Sequence, residues 1–224
     1  RRSSDLKTCG VWNSAEEIAA NPHFSDDAPG GIRIVDTNND GSLTPEDRVA
    51  LGTPYPDFTW GITNTFQIKD FDISFLIQGV QGITVLNGDV YYNETKKWNK
   101  KYTKNRWVSA EHPGDGKTPY QNVKTGHDLM LTDYPLQNAS YACLRNFTVG
   151  YTLPATAARK IKLSGVRFYV SGSNLLYIWG SGYKGINPES RMTSGNYSSA
   201  MISGYQRGGF PLTSTISAGF DINF

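Results

Sequence analysis

Asp36, Asn38, Asp40, Ser42 and Asp47 carry the most specific chemical pattern in this sequence. They occupy positions one, three, five, seven and twelve of a twelve-residue run, with Gly41 at six. Calcium takes about six to eight oxygen ligands, and donors on alternate residues of a tight loop converge on one point. Glycine at six permits the sharp turn, and position seven offers its backbone carbonyl. The ion expected here is a structural Ca2+. One departure is Asp47 where glutamate is usual, because a shorter arm reaches less readily around an ion. Flanking helices are not evident, since Pro45 and the Gly52-Thr53-Pro54 stretch interrupt any long helix. The same residues also suit an Asn/Asp/Gly turn closed by side-chain to backbone hydrogen bonds. Both readings stand at this level.

Catalytic chemistry finds no comparable pattern, and an enzyme is not expected. His23, His112 and His127 are scattered, with no nucleophile at a suggestive spacing. Glu111, Asp115 and Asp128 lie in a turn-rich stretch where acid/base pairing cannot be argued. Cys9 and Cys143 are far apart and form no CxxC or Cys/His metal spacing, so two unpaired thiols are favoured over a disulfide. The run from Lys96 to Trp107 interleaves cations and aromatics. That composition can hold single-stranded nucleic acid or phosphorylated lipid, or pack on itself as a solvated basic loop. A formal net charge of +2 is too small to argue for a nucleic-acid partner, and none is expected. Tyr91, Tyr92, Trp179, Tyr183, Tyr197 and Tyr205 could stack on sugar rings, or serve only as aromatics at a membrane rim.

The elements that would position these residues are strands. The segment from Thr213 to Phe224 alternates strictly: Ile216, Ala218, Phe220, Ile222 and Phe224 share one face, and small polar residues share the other. Phe58, Trp60, Ile62 and Phe66 repeat the pattern, interrupted by Asn64. A tight turn at Lys69-Asp70 leads into Phe71, Ile73, Phe75 and Ile77, which predicts a hairpin. A third strand runs from about Tyr141 to Leu153, with a register shift between Leu144 and Phe147 that predicts a bulge. A connector from Ala155 to Ser164 precedes a fourth strand through Val166, Phe168 and Val170.

A wholly apolar strand face needs either a second sheet or lipid against it. The opposite faces carry Thr, Ser, Asn, Gln and Gly rather than the Lys and Glu of a water-exposed sandwich. Connections alternate short and long, the layout of a bacterial outer-membrane barrel. A strand of about 11 residues rises roughly 36 Å, and a tilt near 45° brings it to the apolar thickness of an outer membrane. A membrane barrel is therefore the preferred fold over a secreted, calcium-stabilised β-sandwich that binds carbohydrate or acts as an adhesin. Five strands cannot close a barrel, so this chain is expected to be part of a longer one. No run of about 18 apolar residues is present. The segment Arg1 to Lys7 lacks the apolar core of a signal peptide, as expected of a mature chain or the tail of a longer one.

Several short motifs occur in order along nearly the whole chain. Pro22-His23-Phe24, Pro29-Gly30 and the aspartate loop precede Gly52-x-Pro54-x-Pro56-Asp57-Phe58. Phe75-x-x-Gln78-Gly79-x-x-Gly82, Leu144-Arg145-Asn146 with Gly150 and Pro154, Val170-Ser171-Gly172 with Asn174-Leu175, and Phe210-Pro211-Leu212-Thr213 follow. The ordered series resembles the SusC/RagA-type TonB-linked outer-membrane transporters of Bacteroidetes. That resemblance implies an all-β fold: C-terminal antiparallel strands of a transmembrane β-barrel of about 22 strands, with long extracellular loops. On this basis residues 1–56 form an extracellular loop region with the calcium-loop-like motif, and residues 57–224 form the C-terminal five strands. It further implies active import of oligosaccharides or peptides, a SusD-like surface lipoprotein as partner, and energy from the TonB complex through an N-terminal part. The other partners implied are the remaining barrel and plug segments, outer-membrane lipid and the cargo itself.

Overall fold

The computed structural model describes residues 3–90, 104–120, 131–190, 204–206 and 209–224. Its central feature is a five-stranded antiparallel sheet of β5 (Phe58–Ile68), β6 (Phe71–Gln81), β9 (Tyr141–Thr152), β10 (Gly165–Trp179) and β12 (Thr215–Asn223). Each strand pairs with the next one of the five along the chain, giving a simple up-and-down meander. The five strands expected from alternation are all present.

Lys69 and Asp70 form a two-residue turn, with Ile68 directly opposite Phe71. Lys69 takes a φ of 53°, the left-handed conformation that so tight a reversal requires. The other short connection contains the helix α2 (Ala155–Lys160), which follows Pro154. Both short connections and the end of β12 lie on one rim, where Ser164 N–H donates to the Asn223 carbonyl at 2.8 Å. The longer segments lie on the opposite rim.

The predicted bulge is present in β9. Leu76 pairs with Asn146 and Ile77 with Leu144, leaving Arg145 as the extra residue. Strand β10 is irregular at the same level, between Ser173 and Leu176, where Asn174 adopts a φ of 54°. This strand extends to Trp179, well past the Val166–Ser171 alternation.

The preceding segment and the long connections build smaller sheets on the far rim. Strands β1 (Ser3–Leu6) and β4 (Arg48–Gly52) pair, as do β2 (Thr8–Val11) and β3 (Ile32–Ile34). Leu6, Ile32 and Ile34 make a small core there with Val11, Phe24, Leu43 and Tyr134. The helix α1 (Ala15–Ala19) is capped by Ser14, whose side chain accepts from Glu17 N–H. Trp12 is fully buried, and the Arg33 guanidinium lies 4.9 Å from its ring centre. A third small sheet joins β7 (Thr84–Asn87) to β8 (Leu136–Asn138) and, in parallel, to β11 (Tyr205–Gln206). The two long connections are thereby knitted together. Tyr183 Oη donates to Gln206 Oε1 at 2.7 Å, and Asn87 Nδ2 donates to Gln137 Oε1 at 3.0 Å, inside this packing.

Candidate functional site

Strand pairing decides which side chains share a face. Ile62, Ile77 and Leu144 fall in one row, as do Phe66, Ile73, Val149 and Val170. Phe71, Tyr151, Phe168 and Phe220 fall in another. These rows make a continuous apolar face across all five strands. Many of its side chains are open: Ile62 is 53%, Val170 53%, Leu176 56%, Phe220 64% and Ile216 75% exposed. Among the described residues no second sheet covers them, as a soluble sandwich would require.

Magnitudes decide what the neighbour is. Covering one Val, Leu, Ile or Phe side chain is worth about 1.5–3 kcal/mol. A dozen such groups left in water would forgo more than the roughly 5–15 kcal/mol by which a whole domain is stable. Hydrocarbon removes that penalty without another protein layer. The two edge strands, β5 and β12, then need further strands beside them, because each unpaired backbone group in lipid costs several kcal/mol. No described helix is long and apolar enough to cross a membrane, which says nothing of strands.

The reverse face is polar and tied by two arginine centres. Near the short-turn rim, Arg167 on β10 reaches across β9 to Asp72 on β6. Nε donates to Oδ1 at 3.0 Å and Nη2 to Oδ2 at 2.7 Å, a two-point grip. Its Nη1 also donates to Asp221 on β12 at 3.3 Å. Gly150 on the intervening strand makes the span possible. A Cβ there would stand 2.3 Å from Asp72 Oδ1 and 2.6 Å from Arg167 Nη2. One clasp joins β6, β10 and β12 and crosses β9, with glycine where it passes.

The second centre is the bulge residue. Arg145 Nε donates to Gln78 at 3.2 Å, Nη1 to Asn174 at 2.9 Å and to Tyr177 Oη at 3.0 Å, and Nη2 to Glu189 at 2.7 Å. The extra residue resets the alternation, so Leu144 and Phe147 both keep the apolar face while Arg145 turns its cation to the polar one. Because Glu189 belongs to the segment after β10, this centre bolts a long connection to the strand wall. Sequence reasoning had marked Arg145 only within a motif and had not marked Arg167, Asp72, Asp221 or Glu189. For Asp72, Arg167 and Asp221 the signal was parity, a charged side chain on the polar face of a strand; Glu189 lies after β10 and carried no such signal.

The aspartate loop lies apart from the sheet. Asp36 Oδ1 accepts from Asn39 N–H at 2.7 Å and Oδ2 from Gly41 N–H at 2.8 Å. Asp40 Oδ1 accepts from Ser42 N–H at 2.8 Å, and Oδ2 accepts from Asn38 Nδ2 at 2.8 Å. Gly41 has a φ of 85°. Asp36, Asn38, Asp40 and Ser42 are therefore brought together on an accessible turn. Asp47 is placed differently. It is fully buried; Oδ1 accepts from Thr37 N–H at 2.7 Å and Oδ2 from Thr44 N–H at 2.8 Å. It closes a reciprocal cap with Thr44 on the short 3-10 turn Pro45–Asp47. The Thr44 N–H bond above all, joined by those from Thr37 and Asn38, holds its carboxyl below the usual range against the opposing effect of burial. Among the described residues no three or more acidic, histidine or cysteine side chains are gathered as a metal centre. Each Asp36 oxygen keeps a further lone pair, so the turn and the ion are chemically compatible.

The other marked residues separate. Cys9 is exposed and Cys143 buried, and both are free thiols. Trp179 packs edge-on to Tyr183, with ring centres 6.2 Å apart, and Tyr205 is buried on β11 of the small sheet. Tyr91, Tyr92, Tyr197, His127, Asp128 and the run from Lys96 to Tyr102 lie outside the described residues. Trp107, at the end of that run, donates from Nε1 to Asn13 at 3.0 Å and meets Tyr120 edge to face. His112 and Glu111 sit in a surface turn with Ser109, and His23 contacts a backbone carbonyl.

A meander with a hydrocarbon-facing side, a polar reverse side and short turns on one rim defines a segment of a transmembrane β-barrel. No family model matches the chain. Among curated proteins it is 30% identical to TonB-dependent receptor P26 of Formosa agariphila, over 98% of this chain and 22% of that protein. It is 27% identical to TonB-dependent receptor SusC of Bacteroides thetaiotaomicron, over 70% of this chain and 15% of that protein. Among solved structures, the RagAB peptide transporter superposes with a TM-score of 0.67 at 19% identity, over all of this chain and 23% of that one. RagAB in its closed-closed state gives 0.66 at 18% identity, over 98% of this chain and 22% of that one. The chain thus spans about a fifth of the length of the relatives it matches. The chain is similar over most of its length to TonB-dependent receptors, SusC among them, and its five strands are outer-membrane barrel strands.

Proposed function

We propose that this chain is one sector of an active importer that carries oligosaccharides or peptides across the outer membrane. Its apolar face meets lipid, its arginine-tied face meets the lumen, and its long connections stand at the outer mouth. A SusD-like lipoprotein would cap that mouth, and the TonB complex would supply energy through a part of the receptor outside this chain. Residues 1–56 belong to the mouth and residues 57–224 carry the membrane strands. The observation that carries this reading is the two-faced sheet, since a hydrocarbon-facing wall with a polar reverse side encloses an aqueous path. The sequence relatives are TonB-dependent receptors by name, which supports a receptor over an enzyme.

The aspartate loop would hold a structural calcium ion in this reading. Asp36, Asn38, Asp40 and the Ser42 carbonyl would contact it, and Asp47, already placed as a cap, would complete the set from behind. The accessible clustering of the first four donors supports this. The ion would stiffen the mouth and take no part in transport.

Cells lacking the full-length receptor provide the test. Uptake of oligosaccharides or peptides should fall to background and return with the intact gene, but not in a strain without TonB. Unchanged uptake without the receptor, for both cargo classes, would overturn the proposal.

A further inference from the structure

A cleft of about 270 Å³ opens on the polar side of the sheet at its long-connection rim. Its floor is a single cross-strand row, Thr59 on β5, Val80 on β6 and Tyr141 on β9, which stand directly opposite one another. Its walls come from three separate stretches of chain. Pro54 and Pro56 precede β5, Ile83 and Val85 open the first long connection, and Pro188, Glu189 and Gln206 come from the second. The lining is mostly apolar, with prolines and one tyrosine ring offering flat surfaces. Among the described residues its lining holds one carboxylate, that of Glu189, and no Lys, Arg or His.

Glu189 is held in place rather than free to swing. Its Oε1 accepts from Arg145 Nη2 at 2.7 Å and from Tyr177 Oη at 2.9 Å. Gln206 is fixed as well, accepting from Tyr183 and donating to the Pro188 carbonyl at 3.1 Å. The walls are thus set before any ligand arrives, which lowers the ordering cost of binding. The volume sits just below the usual range for small-molecule pockets, so it suits one ring-sized group and not a whole oligomer.

We propose that this cleft is a cargo subsite that takes one uncharged or cationic group with a flat apolar face and hydrogen-bond donors at its edge. The face would lie on the prolines and Tyr141, and the donors would address the Glu189 carboxylate and the Thr59 hydroxyl. A pyranose unit and an amino-acid side chain both offer this chemistry. An anionic group is disfavoured by Glu189. Arg145 acts as a positioning residue, because it fixes the carboxylate without lining the cleft. The inference rests on the import reading and deepens it.

The test uses the full-length receptor, purified in detergent and exposed to two pools: neutral hexasaccharides and a tryptic peptide digest. Retained molecules are identified by mass spectrometry. Thr59 is exposed, so Thr59→Trp fills the cleft at little structural risk. Gln67→Trp, on the same strand and face but at the opposite rim, is the control. Thr59→Trp should reduce retention at least about ten-fold, while Gln67→Trp retains as the wild type does. Loss confined to one pool identifies the group as sugar or side chain. Arg145→Lys should weaken retention less than Arg145→Ala. Equal retention by Thr59→Trp and wild type overturns the subsite alone. No retention of either pool by the wild type overturns the import reading and the subsite with it. Heat-dependent gel mobility confirms a folded barrel, and Ser190→Trp replaces Thr59→Trp if the latter does not fold.

Discussion

Two acidic sites in this molecule work at opposite ranges. In the aspartate loop, Asp36 and Asp40 accept hydrogen bonds from groups two to five residues away. In the clasp, Asp72 grips an arginine 95 residues away, across an intervening strand. The first arrangement is local, so its residues stand together in the sequence and announce themselves. The second exists only because antiparallel pairing sets Asp72 beside Gly150 in one row and Arg167 beside Asp221 in a neighbouring row of the same face. Local chemistry shapes a rim turn, while long-range chemistry holds the wall of the barrel.

The largest expected effect tests the wall itself. Val170 and Ser171 are neighbours on β10 that point to opposite sides. Val170→Arg should cost about 2–4 kcal/mol in lipid vesicles, the range for a cation near the middle of a barrel's lipid face. Ser171→Arg, on the wet side, should cost roughly 0.5 kcal/mol. Denaturant titration of the full-length receptor in bilayers measures both. Equal costs would break the assignment of the two faces and with it the contrast drawn above.

The clasp comes next. Gly150→Ala places a methyl group between Asp72 and Arg167, so the two-point grip must open. The pair is about one-third exposed, which discounts its electrostatic worth, and a loss of about 1–2 kcal/mol is expected. A double-mutant cycle on Asp72→Ala and Arg167→Ala sharpens this, with a coupling of about 1 kcal/mol. Additive effects would show that the clasp is geometry without energy.

These two regions also show what a one-dimensional pattern can carry. The alternation of Phe58 to Phe66, Phe71 to Ile77 and Ile216 to Ile222 marks strands because a period of two maps directly onto two faces. The short turn at Lys69-Asp70 follows from the same count. Strand β10 beyond Ser171 was hidden because its irregularity at Asn174-Leu175 resets the parity, so Leu175 and Leu176 stand side by side without alternating. The bulge in β9 was visible as a register shift, but its consequence was not. That Arg145 turns to the polar face and meets Glu189 depends on partners 29 to 67 residues distant. Spacing alone sets Asp47 at the twelfth position, and spacing does not report that the Thr37 and Thr44 N–H groups each bond one of its oxygens.

Asp47 gives a pH test of smaller size. Its folded pKa lies below the unfolded carboxylate value near 3.9, so it adds stability that is fully present above that pH. That contribution is lost as pH falls through the lower, folded value. Limited proteolysis within residues 30–54 should therefore stay constant from pH 7 to about 4 and rise below it. Asp47→Asn keeps the shape but not the charge. It should weaken the loop by about 1 kcal/mol at neutral pH and remove the acid transition. An unchanged acid transition in Asp47→Asn would assign it to another group.

The smallest effect separates the turn from the ion. Asp36→Ala with Asp40→Ala removes exposed acceptors whose bonds compete with water, so without calcium the protease resistance of residues 30–54 should change little. With calcium the wild-type loop should become more resistant, and a chelator should reverse the gain. The double variant should show neither response. Two exposed carboxylates in a turn hold a shape on their own, and only an ion that both of them address makes that shape depend on the medium. Identical digestion of the wild type with calcium and with chelator would remove the ion and leave a hydrogen-bonded turn. Asp47 would then be the anchor of that turn and nothing more.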